Sequence, residues 1–123
     1  WLEEHPLVDQ VIWAGLPSSP WYERAQKYLP KGPGAVVGFT LKDADLEQTR
    51  TFVDALQLHS NVANIGDVRS LVIHPASTTH SQLSEEELEA IGVSKNFVRL
   101  SVGIENIDDI IADLELGFAT LNA

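Results

Sequence analysis

Apolar and polar positions follow two rhythms along this chain, a period near two and a period near 3.6. The switches between them divide it into short strands and helices. In "DQVIWAGLPSSP", Val11 to Trp13 reads as a strand stopped by Gly15 and Pro17. In "SPWYERAQKYLPKGPG", Ser19 is placed to cap a helix with Pro20 at its first position. That helix ends before Pro30, and "PKGPG" is a loop. Ala35 to Leu41, "AVVGFTL", is rich in β-branched and aromatic residues and reads as a buried strand. In "DADLEQTRTFVDALQL", Leu46, Thr49, Phe52, Val53 and Leu56 recur at helical spacing, with Asp43 or Asp45 as the cap.

The second half repeats the alternation. Ser70 to Pro75, "SLVIHP", is a strand that ends at the proline. "SQLSEEELEAIG" carries a capping box, Ser84 with Glu87 three residues on, and a stop at Gly92. Glu85, Glu86 and Glu87 favour the positive end of that helix and read as its solvated start. "NFVRLSVGIE" is a strand with Val98, Leu100 and Val102 on one face and Arg99 and Ser101 on the other. Ile107, Ile110, Ile111, Leu114, Phe118 and Leu121 then form one helical stripe. Asn106 caps it, and Asp108 and Asp109 stand in its first turn. Strand and helix alternate four times without a repeat or internal linker. This order fits one small α+β or α/β layer with helices packed on one side.

Composition narrows the partners. The chain has 123 residues, 18 acidic against 8 basic, and a net charge of −10. Its Lys and Arg residues are scattered, which argues against nucleic acid and against an anionic membrane surface. No apolar run approaches a membrane span, and the cytoplasm is the simplest expected compartment. There is no cysteine, so disulfides, thiolate metal sites and cysteine nucleophiles are excluded. The chain also lacks methionine and opens on Trp1, from which a piece of a larger protein is expected.

Candidate chemistry concentrates in "NIGDVRSLVIHPASTTHSQLS". His74 and His80 lie too far apart, with too few companions, for a zinc site. No Gly-x-Ser-x-Gly elbow surrounds Ser70, Ser77 or Ser81, so these polar groups are expected to satisfy the turn that follows a strand. Gly32 and Gly34 precede a strand rather than follow one, so "GPGAVVG" is not a phosphate cradle. Arg99 stands apart from these. A guanidinium in the middle of a half-buried strand needs an anion, either an internal carboxylate or that of a small molecule.

The segment from Asn64 to Glu115 closely resembles the carboxy-terminal domain of O-acetylhomoserine sulfhydrylases. These belong to the pyridoxal-phosphate-dependent Cys/Met metabolism family. "SLVIHPASTTHS" followed by "VRLSVGIE" carries the resemblance, and looser agreement reaches the start of the chain. It implies an α+β fold, a small mixed or antiparallel sheet like the small domain of fold-type I pyridoxal-phosphate enzymes, with residues 1–123 as that single carboxy-terminal domain. It also implies two substrate-binding residues. Arg99 matches the arginine that grips the substrate α-carboxylate, and Asn64, in "ANIGD", lies beside the same group. The asparagine leans toward the sulfhydrylases rather than methionine γ-lyase or cystathionine γ-synthase.

The reaction so implied is γ-replacement on O-acetyl-L-homoserine, with acetate leaving and sulfide entering to give homocysteine. The cofactor is pyridoxal 5'-phosphate. Its lysine and the rest of its site are expected in a larger preceding domain, with no catalytic, cofactor-binding or metal residue in this chain. Lys42 and Lys95 lack the apolar setting that activates a Schiff-base lysine. The parent is expected to be a dimer or tetramer, and the isolated piece to be inactive, with an apolar face covered by self-association. A stand-alone amino-acid-binding regulatory module is the alternative from another class.

Overall fold

The computed structural model describes residues 1–122. A turn of 3₁₀ helix at Leu2–Glu4 leads into β1 (Val8–Ile12), α1 (Tyr22–Tyr28), β2 (Val36–Leu41) and α2 (Leu46–Asp54). Then follow β3 (Ser60–Asn61), β4 (Leu71–Ile73), a 3₁₀ turn at Pro75–Ser77, α3 (Glu85–Ala90), β5 (Phe97–Ser101) and α4 (Ile107–Leu121). The strands form one five-stranded sheet in the order β1-β2-β5-β4-β3. Every neighbouring pair is antiparallel except β3 and β4, so the sheet is mixed and the fold is α+β, as expected. No described helix is long and apolar enough to cross a membrane.

Register decides which residues face the core. Val11 pairs with Phe39, Phe39 with Val98, and Val72 with Leu100, so their side chains share one face of the sheet. Phe52 and Val53 of α2, and Ile110, Leu114 and Phe118 of α4, pack against that face in one cluster. The Phe52 and Phe118 rings meet edge to face at 4.9 Å. Burying each ring stabilises by about 1.5–3 kcal/mol. At Gly117 a Cβ would stand 2.7 Å from the Phe52 ring, so α4 approaches α2 closely only because that position has no side chain.

The helices begin where local hydrogen bonds can start them. Asp45 is the cap of α2: its carboxylate accepts from Gln48 N–H at 2.8 Å, and the Gln48 side chain accepts from Asp45 N–H at 2.9 Å. Asp43 instead turns the chain, with φ at 54°. Ser84 and Glu87 form the expected box on α3, and Gly92 ends that region at φ 77°. Asn106 accepts from Asp108 N–H at 2.8 Å to open α4.

Several details differ from the sequence expectation, among them β4, which is Leu71–Ile73 rather than Ser70 to Pro75. The helix expected at Ser19 and Pro20 starts at Tyr22, because the Ser19 hydroxyl accepts from Trp21 N–H at 3.2 Å and forms a turn first. The first strand runs Val8–Ile12 rather than Val11 to Trp13. Its early residues pair across a register irregularity that hides the alternation. The two residues of β3 carry no pattern at all. Ile107 lies on the apolar stripe of α4 but is 62% exposed at its start.

Candidate functional site

β5 is the central strand, and its alternation splits it. Val98 and Leu100 are buried in the core, while Phe97, Arg99 and Ser101 project to the opposite face. Arg99 is half-buried there. Across the sheet it stands opposite Gly38 of β2 and Ile73 of β4. The Phe97 ring fills the place of a side chain at Gly38, at 2.6 Å from where its Cβ would be. Neither lateral neighbour offers an anion. Among the described residues the Arg99 guanidinium makes no ion pair and no hydrogen bond, while Arg50 and Arg69 each have a carboxylate within 4.0 Å.

Asn64 lies exposed on the loop between β3 and β4, its amide without a hydrogen-bond partner among the described residues. That loop is tied to the strand carrying Arg99. Gly66 N–H donates to the Ser101 hydroxyl at 3.1 Å, and Ile104 N–H donates to the Val68 carbonyl at 2.9 Å. Ser70, fully buried, ends the loop with four hydrogen bonds at its N–H and hydroxyl. Its N–H donates to both Glu105 carboxylate oxygens at 2.9 and 2.8 Å, and its hydroxyl donates to Oε1 at 3.1 Å. The same hydroxyl accepts from Gly103 N–H at 2.9 Å. The Ser70 backbone N–H is the main cause that holds the Glu105 carboxyl below its ordinary range, against a smaller opposing effect of burial. Ser101 lies on the Arg99 face as expected, but Ser70 does not serve the turn after β4: it precedes that strand and binds Glu105, a distant partner that no local pattern announces.

The histidine-rich segment is structural. The His74 Nε2 donates to the Lys95 carbonyl at 2.6 Å, its Nδ1 is buried without a partner, and burial lowers the pKa of the ring. The Thr78 hydroxyl donates to the His74 carbonyl at 2.8 Å, satisfying the turn after β4. The His80 Nδ1 meets the Thr79 hydroxyl at 2.8 Å near the surface.

No lysine here suits a carbonyl cofactor. Lys95 is exposed and stands 3.7 Å from Glu85. Lys42 and Lys95 share a cleft of about 460 Å³, but Asp9, Asp43 and Asp45 line it as well. Three carboxylates repel a phosphate, and both lysines are exposed, without the apolar setting that Schiff-base chemistry needs. The residues present therefore do not fit pyridoxal phosphate.

Residues 1–119 match the family described as Cys/Met metabolism PLP-dependent enzymes. The chain is 56% identical over 120 residues to an O-acetyl-L-homoserine sulfhydrylase of Corynebacterium glutamicum, covering 98% of this chain and 27% of that protein. It is 51% identical over 119 residues to O-acetyl-L-homoserine sulfhydrylase 1 of Thermus thermophilus, covering 97% of this chain and 28% of that one. Among solved structures it matches a cystathionine γ-lyase of Lactobacillus plantarum in complex with L-serine, with TM-score 0.85 and 34% identity. That match covers 99% of this chain and 31% of the other. The chain thus spans less than a third of the length of each of these relatives.

Proposed function

This chain belongs to the Cys/Met metabolism PLP-dependent enzymes, and from that footing we propose that it is the substrate-carboxylate-binding domain of an O-acetylhomoserine sulfhydrylase. The whole protein would convert O-acetyl-L-homoserine and sulfide to homocysteine and acetate. Residues 1–123 are its single small domain, and the cofactor is held by protein outside this chain. Identity of 51–56% to sulfhydrylases, against 34–36% to a cystathionine γ-lyase and a cystathionine γ-synthase, supports the sulfhydrylase over those reactions.

One observation carries the proposal: a half-buried guanidinium in mid-strand with no anion beside it among the described residues. Leaving a charge partly desolvated and unpaired is costly, so such a group is retained for an anion that arrives. A carboxylate meets it in two parallel hydrogen bonds, each contributing about 1.5–3 kcal/mol. Asn64 has free donors, and its loop is fastened to the same strand, so a second hydrogen bond to that carboxylate is available. Fixing the carboxylate at two points restricts rotation of the amino acid about its Cα and presents its γ-substituent in one orientation.

Arg99→Lys in the longer protein tests this. Lysine keeps the charge and loses the planar fork, so kcat/KM for O-acetyl-L-homoserine should fall by about 100-fold. An unchanged kcat/KM contradicts the assignment.

A further inference from the structure

Glu105 stands in the connection between β5 and α4, outside the pair assigned to the substrate. Yet both of its carboxylate oxygens are committed to Ser70, where the Asn64 loop returns to the sheet. Ser70 relays that hold, because its hydroxyl accepts from Gly103 N–H while donating to Glu105. Gly103 completes the joint. A Cβ there would collide with the Val68 carbonyl, the Arg69 backbone and the Glu105 carboxylate itself. Ser101 fixes the same loop nearer its tip through Gly66 N–H, two residues from Asn64 and two from Arg99 along their respective segments.

We infer that Glu105, through Ser70 and together with Ser101, is a positioning residue that sets the Asn64 loop against the strand bearing Arg99. Neither Glu105 nor Ser101 touches the substrate. They fix the separation of two groups that do, and a carboxylate bound at two points is sensitive to that separation. The part of the loop that carries Asn64 has little else to order it: Val62 through Ile65 are exposed, β3 before them is two residues long, and the remaining ties, Ile104 N–H to the Val68 carbonyl and Arg69 N–H to Asp67, lie beyond Gly66. A charge-assisted joint at one end and a hydroxyl near the middle therefore supply its register.

This inference rests on the proposed function, and the experiment separates the two. Glu105→Ala, Glu105→Gln and Ser101→Ala are made in the longer protein beside Arg99→Lys. Steady-state kinetics with O-acetyl-L-homoserine and thermal unfolding are measured for each. Glu105→Ala and Ser101→Ala should raise KM by about tenfold while kcat stays within about threefold. Glu105→Gln, which keeps one oxygen for Ser70 N–H, should recover most of the affinity. A purely structural residue would lower stability without that KM-specific rise, and unchanged KM in Ser101→Ala overturns the inference. If Glu105→Ala does not fold, Ser101→Ala and Glu105→Gln decide. Should Arg99→Lys also leave KM unchanged, the proposed function fails with it; should Arg99→Lys alone raise KM, only the positioning role is lost.

Discussion

Arg99 stands directly opposite Gly38 across the β2–β5 pair, and the glycine offers the guanidinium nothing to bind. The fold therefore does not depend on the charge at position 99. Removing a half-buried charge that has no partner, Arg99→Gln in the isolated chain should leave the unfolding free energy unchanged or raise it by about 1 kcal/mol. Urea denaturation checks this. A loss of several kcal/mol would reveal an internal partner and remove the reason for seeking an external anion.

Asp113 makes the opposite kind of bond. Buried on α4, its carboxylate accepts from the N–H groups of Gln57, Leu58 and His59 at 2.7, 2.9 and 3.0 Å, and from the His59 ring at 2.6 Å. It gathers the chain after α2 onto α4. Asp113→Ala strands those donors and should cost about 3–5 kcal/mol, measured by the same denaturation.

The same carboxylate sets an acid limit on stability. Burial raises the Asp113 pKa, but the hydrogen bonds from the His59 ring and from Leu58, His59 and Gln57 outweigh it, and the net shift is downward. A depressed carboxylate contributes stability that is complete above its unfolded pKa of about 3.9 and is lost as pH falls through the folded value. Melting temperature should therefore drop below about pH 4, and Asp113→Asn should flatten that part of the curve. An unaltered acid limb in Asp113→Asn contradicts this.

Gly117 admits the Phe52 ring against α4. Gly117→Ala adds one methyl where the ring lies and should destabilise by about 1–3 kcal/mol, despite alanine's better helix propensity. Stabilisation on calorimetry would mean the helices have room to part.

An apolar groove of about 450 Å³ opens between the first turn and α4, lined by Leu2, Val11, Trp13, Val102, Ile107 and Ile111 among others. With Trp1 45% and Ile107 62% exposed on it, the isolated chain should self-associate. Sedimentation equilibrium should show mass rising with concentration, and Ile107→Lys should suppress the rise. A constant monomer mass for the unaltered chain contradicts it.

Much of this architecture was legible along the chain because its causes are local. The cap of α2, narrowed along the chain to Asp43 or Asp45, the box at Ser84, the cap at Asn106 and the alternation of Val98, Arg99 and Leu100 each lie within a few residues. What stayed hidden depends on distant partners. β3 exists only because Ser60 and Asn61 lie beside Leu71 and Val72. The Glu105 joint reaches back 35 residues to Ser70, and Gly117 has meaning only beside Phe52. Alternation placed Arg99 off the core face, but that no carboxylate waits beside it required the register of three strands. Asn64 has no local signature; its proposed role comes from the family resemblance, and the Gly66–Ser101 hydrogen bond ties its loop to the strand of Arg99.

The most direct measurement compares O-acetyl-L-homoserine with its carboxamide in the longer protein and in Arg99→Gln. The unaltered enzyme should prefer the acid by about 100-fold or more in kcat/KM, and Arg99→Gln should reduce that preference to within about threefold. If the preference survives the loss of the guanidinium, the carboxylate is held elsewhere and Arg99 is not its anchor.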